Sequence, residues 1–237
     1  MSKLSASLVK ELREKTGSGM MDCKKALTET SGDIDSAIDW LRTKGLSAAA
    51  KKSSRTTAEG LVSFYIENNK AAIVEVNAET DFVSRNEMFQ KFVKQVAKLS
   101  ISTEGNLEGL LNQKTTDNNT VSEALTNLIS TIGENMNIRR SGFLEINNGF
   151  VSSYMHSSVA ESLGKIGVLV SLETENTSSS VREFGKKLAM HIAASNPRFI
   201  NIENVDDQTI GRERQILSEQ ALESGKPKDV IDKMVDG

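Results

Sequence analysis

Hydrophobic positions recur along this chain in two rhythms. Between residues 5 and 45 they fall three or four places apart, first Leu8, Val9 and Leu12, then Met20, Met21, Cys23, Ala26 and Leu27, then Ala37, Ile38 and Leu41. That spacing predicts three short helices, each with one apolar stripe. Gly17-Ser18-Gly19 and Ser31-Gly32 separate them, Asp33 can accept hydrogen bonds from the free N–H groups of the third, and Gly45 suits the position just past its end. Lys51–Thr57 is polar and short of large apolar residues, and reads as a linker.

Beyond it the rhythm changes to alternation. Val62, Phe64 and Ile66, then the mostly apolar Ala71–Val76, joined across Asn68-Asn69, predict a β-hairpin, and Phe89, Phe92, Val93 and Val96 predict a helix from about Asn86 to Leu99. Thr103–Asn119 is polar and reads as loose chain, followed by a helix over 121–135 and a strand over 138–146. Then the pattern returns. Gly149-Phe150-Val151-Ser152-Ser153-Tyr154 echoes Gly60-Leu61-Val62-Ser63-Phe64-Tyr65, and Ile166–Ser171 echoes Ala71–Val76. Ile73 stands as far from Phe89 as Val168 from Phe184, so strand and helix are expected to keep one register in both copies. The second helix is expected over 179–194, ending before Pro197, and Pro227 is placed to open a last helix in a charged tail from Asp206. The fold class is therefore α+β, with one supersecondary unit used twice.

Composition narrows the functional classes. The chain has 237 residues and a formal net charge of −3, without the strongly basic face of a dedicated nucleic-acid binder. The charge is uneven, since residues 1–59 hold eleven Lys or Arg against eight Asp or Glu. The amino terminus opens into amphipathic helix and no apolar run approaches membrane-spanning length, which predicts a cytoplasmic protein with no membrane partner. Cys23 is the single cysteine, expected as a small buried thiol. With His156 and His191 as the only histidines, a structural zinc site lacks ligands, and no metal or other cofactor is expected.

No catalytic set is visible: no nucleophile with its base, no paired carboxylates, no glycine-rich phosphate loop. An enzyme is not expected. Attention falls instead on Thr80-Asp81-Phe82-Val83, where a large apolar side chain stands among polar neighbours. Two readings are open. Phe82 can fold back as a staple under the following helix, or it can anchor a protein partner, because interface energy concentrates in a few aromatic residues and arginines. The matched spacing sets Asn176-Thr177 opposite Asp81-Phe82, so the shared scaffold does not require the phenylalanine, and this favours the anchor. Met20 and Met21 are likewise divided between core packing and contact. His156, at a strand end, is a better contact candidate than His191, and Arg139 and Arg140 read as a structural ion pair.

Four stretches in order, Thr16–Leu27 with Met20-Met21-Asp22-Cys23-Lys24-Lys25, Glu79-Thr80-Asp81-Phe82-Val83, Ile132–Arg140 and Met190–Ser195, resemble the translation elongation factor Ts family. The resemblance spans essentially the whole chain. It implies an N-terminal three-helix, ubiquitin-associated-like head over 1–55, a core of two related α+β subdomains with antiparallel strands over 56–140 and 141–205, and a helical projection from 206 to 237. It also implies an activity, guanine-nucleotide exchange on elongation factor Tu in its GDP-bound and nucleotide-free forms. On that likeness Thr80, Asp81, Phe82 and Val83 would enter near the partner's magnesium site, Phe82 as wedge and Asp81 disturbing the shell that holds Mg²⁺. Met20, Met21 and Lys24 would lie on the partner's GTPase domain, with Tyr154, His156 and the segment from His191 to Pro197 against its third domain. The family's pattern continues past Lys233–Gly237, so the rest of the projection, further strand and a C-terminal helix are expected in a full family pattern. The rival reading is a non-exchanging adaptor that binds through an independent head.

Overall fold

The computed structural model describes residues 5–223, in two compact units divided between Ala194 and Ser195. It is a mixed α+β structure with antiparallel sheets.

The first unit opens with α1 (Ala6–Thr16), α2 (Met20–Glu29) and α3 (Ile34–Lys52). Side chains start two of them: the Ser5 hydroxyl accepts the Leu8 N–H at 3.2 Å, and the Asp33 carboxylate accepts that of Ser36 at 2.7 Å. Gly17, at φ 65°, ends α1 in the left-handed conformation that glycine adopts without a Cβ penalty. The three helices close on Leu12, Cys23, Ala26, Leu27 and Ala37. Cys23 is fully buried, as expected, and desolvation raises its thiol pKa.

The third helix corrects the sequence reading. It runs through Gly45 and into the first two residues of the expected linker, ending at Lys52 and leaving 53–57 non-helical, because Ala48-Ala49-Ala50 are strong helix formers and its second half has a surface to cover. Gly45 is buried where an added Cβ would stand 3.5 Å from the Ser130 hydroxyl, and Ala49 packs against the main core. Arg42 pairs with Glu123, whose pKa is lowered chiefly by the Thr120 N–H and, against the opposing desolvation, by the Thr120 hydroxyl and Arg42.

The core follows with β1 (Glu59–Glu67), β2 (Lys70–Ala78), α4 (Asp81–Ser84), α5 (Glu87–Ser100), α6 (Leu107–Asn112), α7 (Val121–Ile132) and β3 (Met136–Glu145). Then come β4 (Gly149–His156), β5 (Leu163–Gly164), β6 (Ile166–Glu173) and α8 (Ser179–Ser195). One sheet has the order β3-β2-β1-β5; the other is the β4-β6 hairpin. As alternation predicts, β1 and β2 meet across Asn68, which takes φ 54°. Leu61, Val74 and Val76 join Phe89, Phe92, Val93 and Val96 of α5 and Leu128 and Ile129 of α7 in the main core. On the other face lies the second hairpin, where a Cβ on Gly167 would come within 2.8 Å of Val62 and Ile73 side chains. Contrary to expectation 103–119 is not loose throughout, since α6 starts on the Asn106 side chain and buries Leu110.

The duplication is real, but its register differs from the sequence count. Gly60 pairs with Asn77 and Gly149 with Glu173, which puts the second copy one residue out of step. Phe89 is fully buried, whereas Phe184 is 58% exposed. Gly185 takes the inward place, and a Cβ there would meet the Ser152 hydroxyl at 2.2 Å. Small Gly185 and Ala189 let α8 approach its hairpin closely, which a phenylalanine at 185 would prevent.

In the second unit, a 3-10 turn at Ile202–Asn204 precedes α9 (Asp207–Glu223), started by the Asp206 carboxylate on the Thr209 N–H at 2.8 Å. The expected helix opening at Pro227 lies outside the described residues.

Candidate partner-binding site

Seven residues, 79–85, separate β2 from the Asn86 cap of α5, and four of them form the single turn α4. Its two halves behave differently. Val83 and Ser84 are buried, the Ser84 hydroxyl donates to the Gly60 carbonyl at 3.1 Å, and Gln90 donates to the Ser84 carbonyl at 2.8 Å. Asn86 then accepts the Met88 and Phe89 N–H groups and begins α5. Asp81 and Phe82 face outward, with Phe82 75% exposed. The staple reading is thus set aside: the phenylalanine projects from a turn whose neighbouring residues are fixed underneath it. An aromatic ring in water forgoes about 2 kcal/mol that burial would return.

The entry to the turn is held from outside the repeat. Thr80 donates its N–H and hydroxyl to the two carboxylate oxygens of Glu134, at 2.9 and 2.6 Å. Of the four tip residues singled out by sequence, then, Asp81 and Phe82 are presented while Thr80 and Val83 anchor. Glu134 and its neighbour Asn135 were not singled out as functional. The available signal was Gly133, which takes φ 90° at the end of α7 and turns the chain toward the tip.

On α2, Met20 is 60% and Met21 73% exposed, and Lys24 is exposed too. Met20 and Lys24 stand four places apart and so share a helix face. Cys23, Ala26 and Leu27 close the bundle while both methionines stay in solvent, which removes the core-packing reading of Met20 and Met21. The turn before α2 lies near the start of α5, since a Cβ on Gly17 would stand 3.9 Å from the Met88 methyl. The three-helix segment therefore adjoins the start of α5, the helix that follows the tip.

Tyr154 and His156 form a second locus on β4, in the separate two-stranded sheet. The tyrosine hydroxyl and His156 Nδ1 are 3.1 Å apart, and their rings are tilted by 36°. His156 is exposed, as is His191 on α8. Arg139 and Arg140 both approach Glu75, at 4.0 and 2.6 Å, in line with a structural role. Among the described residues no group of three His, Cys, Asp or Glu side chains could hold a metal, and no helix is long and apolar enough to cross a membrane.

A family profile described as Elongation factor TS matches residues 79–237. The chain is 56% identical to elongation factor Ts of Rhodospirillum centenum and 54% identical to that of Gluconobacter oxydans, in each case over all of this chain and 78% of the relative. It is 50% identical to the Caulobacter vibrioides protein of the same name, over all of this chain and 77% of that one. With a profile match that begins at the tip and half or more of all positions shared from end to end, the chain belongs to the elongation factor Ts family of translation elongation factors.

Proposed function

We propose that this protein is a guanine-nucleotide exchange factor that speeds GDP release from elongation factor Tu, binding it in its GDP-bound and nucleotide-free forms. The observation that carries the proposal is Phe82, exposed on a turn whose next two residues are buried. A ring held this way can enter a pocket on a partner without first paying the entropy of ordering its own loop. Asp81 beside it brings a carboxylate to wherever the ring goes, and near a magnesium ion that charge competes with the ligands holding Mg²⁺ and the GDP phosphates. No bond of the nucleotide is made or broken, so the role is not enzymatic in the usual sense, and neither a cofactor, a nucleic acid nor a membrane is required. The workplace is the cytoplasm.

Binding and exchange are linked. If the factor weakens GDP binding, GDP weakens factor binding by the same ratio, so the complex of all three is short-lived.

The remaining contacts follow the domain plan we propose: a ubiquitin-associated-like head over 1–55 meeting the partner through Met20, Met21 and Lys24, a first subdomain over 56–140 carrying the tip, a second over 141–205 meeting the partner through Tyr154 and His156, and a projection over 206–237. The packing of α3 along α7 favours this over an adaptor with an independent head, because Gly45 lies against Ser130 of α7 and Ala49 packs on the main core.

The test is release of a fluorescent GDP analogue from elongation factor Tu by stopped flow. Substoichiometric amounts of the chain should empty the whole partner population in the presence of excess free nucleotide. Release at the unassisted rate overturns the proposal.

A further inference from the structure

The tip poses a physical question that its own repeat does not answer. A single helical turn of four residues cannot hold its shape alone, since nucleating a helix fixes several backbone dihedrals for one hydrogen bond. Thr80, at its N-cap, makes no side-chain capping bond to the turn. The C-terminal half is anchored by Val83, Ser84 and Gln90. The N-terminal half, which directs Asp81 and Phe82, depends on Glu134.

We propose that Glu134 and Asn135 are positioning residues for the Asp81-Phe82 tip, and that they tie its direction to the exit of the three-helix head; this rests on the exchange reading above. Glu134 accepts both donors of Thr80, the N–H at 2.9 Å and the hydroxyl at 2.6 Å. Hydrogen bonds to an ionised carboxylate are about twice as strong as neutral ones, and two from one residue fix orientation as well as distance. Asn135 is 7% exposed and works in the other direction. Its N–H donates to Glu79 at 2.5 Å, and its side-chain amide donates to the carbonyls of Arg55 at 2.8 Å and Ser53 at 3.4 Å, just past the end of α3. Arg55 returns to Glu79 at 3.4 Å. Two successive residues thus grip two segments: the entry to the tip and the exit from the head. Gly133 supplies the left-handed turn that lets them follow α7 directly.

The consequence is selective. Without the Glu134 carboxylate Phe82 remains exposed but loses its fixed direction, so the insertion step slows, while the binding surfaces on α2 and β4 are untouched. The maximal release rate should fall more than the half-saturating concentration rises.

The test uses the full chain, with Glu134→Ala, Phe82→Ala and the double variant, in two measurements. Amide hydrogen exchange on the free protein should show Thr80 losing about tenfold or more of its protection in Glu134→Ala, as expected for a lost charged hydrogen bond, with Val76 in β2 unchanged. Stopped-flow GDP release should show Glu134→Ala lowering the maximal rate by about tenfold, and having no further effect once Phe82 is alanine. Wild-type protection at Thr80, equal loss of protection at Val76, or an undiminished effect of Glu134→Ala in the Phe82→Ala background each overturns the proposal. If none of the variants, Phe82→Ala included, alters release, the exchange reading fails, and Thr80 protection alone then decides the positioning role.

Discussion

After its second strand each repeat must turn back to lay a helix across its hairpin, and the two do so differently. In the first, β2 leads into α4, a buried-and-exposed turn, before Asn86 starts α5. In the second, β6 leads into an open bend in which Thr174 accepts the Asn176 N–H and Asn176 that of Ser178, and α8 begins at once. By strand register the residue corresponding to Phe82 is Ser178, one place later than the sequence spacing suggests. A return can therefore be made without a helical turn, without an aromatic ring and without an outside clamp. Val83 and Ser84 of the added turn are built into the core, but its exposed half, Asp81 and Phe82, is not required by the return itself, and this is why function is sought there.

The comparison can be broken first at what the repeats share. Gly60 and Gly149 open their hairpins at φ 138° and 145°, where a Cβ would stand 2.1 Å from the Val76 carbonyl oxygen and 1.9 Å from that of Leu172. Gly60→Ala and Gly149→Ala should each cost about 3 kcal/mol or more, strain and clash together, seen as a lowered urea midpoint. If one is tolerated, the two hairpins are not equivalent scaffolds. Next is the difference itself: Phe82→Ala should weaken the complex with elongation factor Tu by about 2 kcal/mol, roughly thirtyfold, and leave the urea midpoint within about 0.5 kcal/mol of wild type. Calorimetry and denaturation together separate these. Loss of stability instead would return Phe82 to a structural role.

A smaller effect concerns the helices that flank the tip. Asp33 is held below the usual carboxylate pKa by Ser36, and Glu123 by Thr120 and Arg42. Groups whose pKa is depressed on folding stabilise above their unfolded pKa and lose that contribution as pH falls through the folded value. Melting temperature should thus decline below the ordinary carboxylate range, and Asp33→Asn should flatten that decline slightly; an unchanged slope contradicts the capping role. Smallest of all, Ser178→Ala should alter neither stability nor GDP release in the assays above, and a marked loss of release would mean that the second repeat's bend carries a task too.

Much of this was legible before the structure. Period-2 alternation located both hairpins because each has one face on a core, and the lone Phe82 among polar residues stood out because no stripe claimed it. The register of the second copy was not legible: equal spacing of Ile73–Phe89 and Val168–Phe184 suggested an aromatic in each core, and only the strand pairing shows Gly185 inside. The length of α3 was missed because Gly45 looks like a stop until its burial against α7 is known. Glu134 lies in the Ile132–Arg140 stretch that resembles the family, but its role was not legible for a general reason. Its partner, Thr80, is 54 positions away, and no local pattern records a hydrogen bond across that distance.

The central claim is that the first repeat's exposed ring, not the duplicated scaffold, drives exchange. It is tested most directly by stopped-flow release of a fluorescent GDP analogue at saturating factor, comparing wild type, Phe82→Ala, and Phe82→Ala carrying Ser178→Phe. The account predicts that release slows at least about tenfold in Phe82→Ala, as for loss of a buried aromatic anchor, and is not restored by a phenylalanine on the second repeat's unclamped bend. Wild-type rates in Phe82→Ala would contradict it.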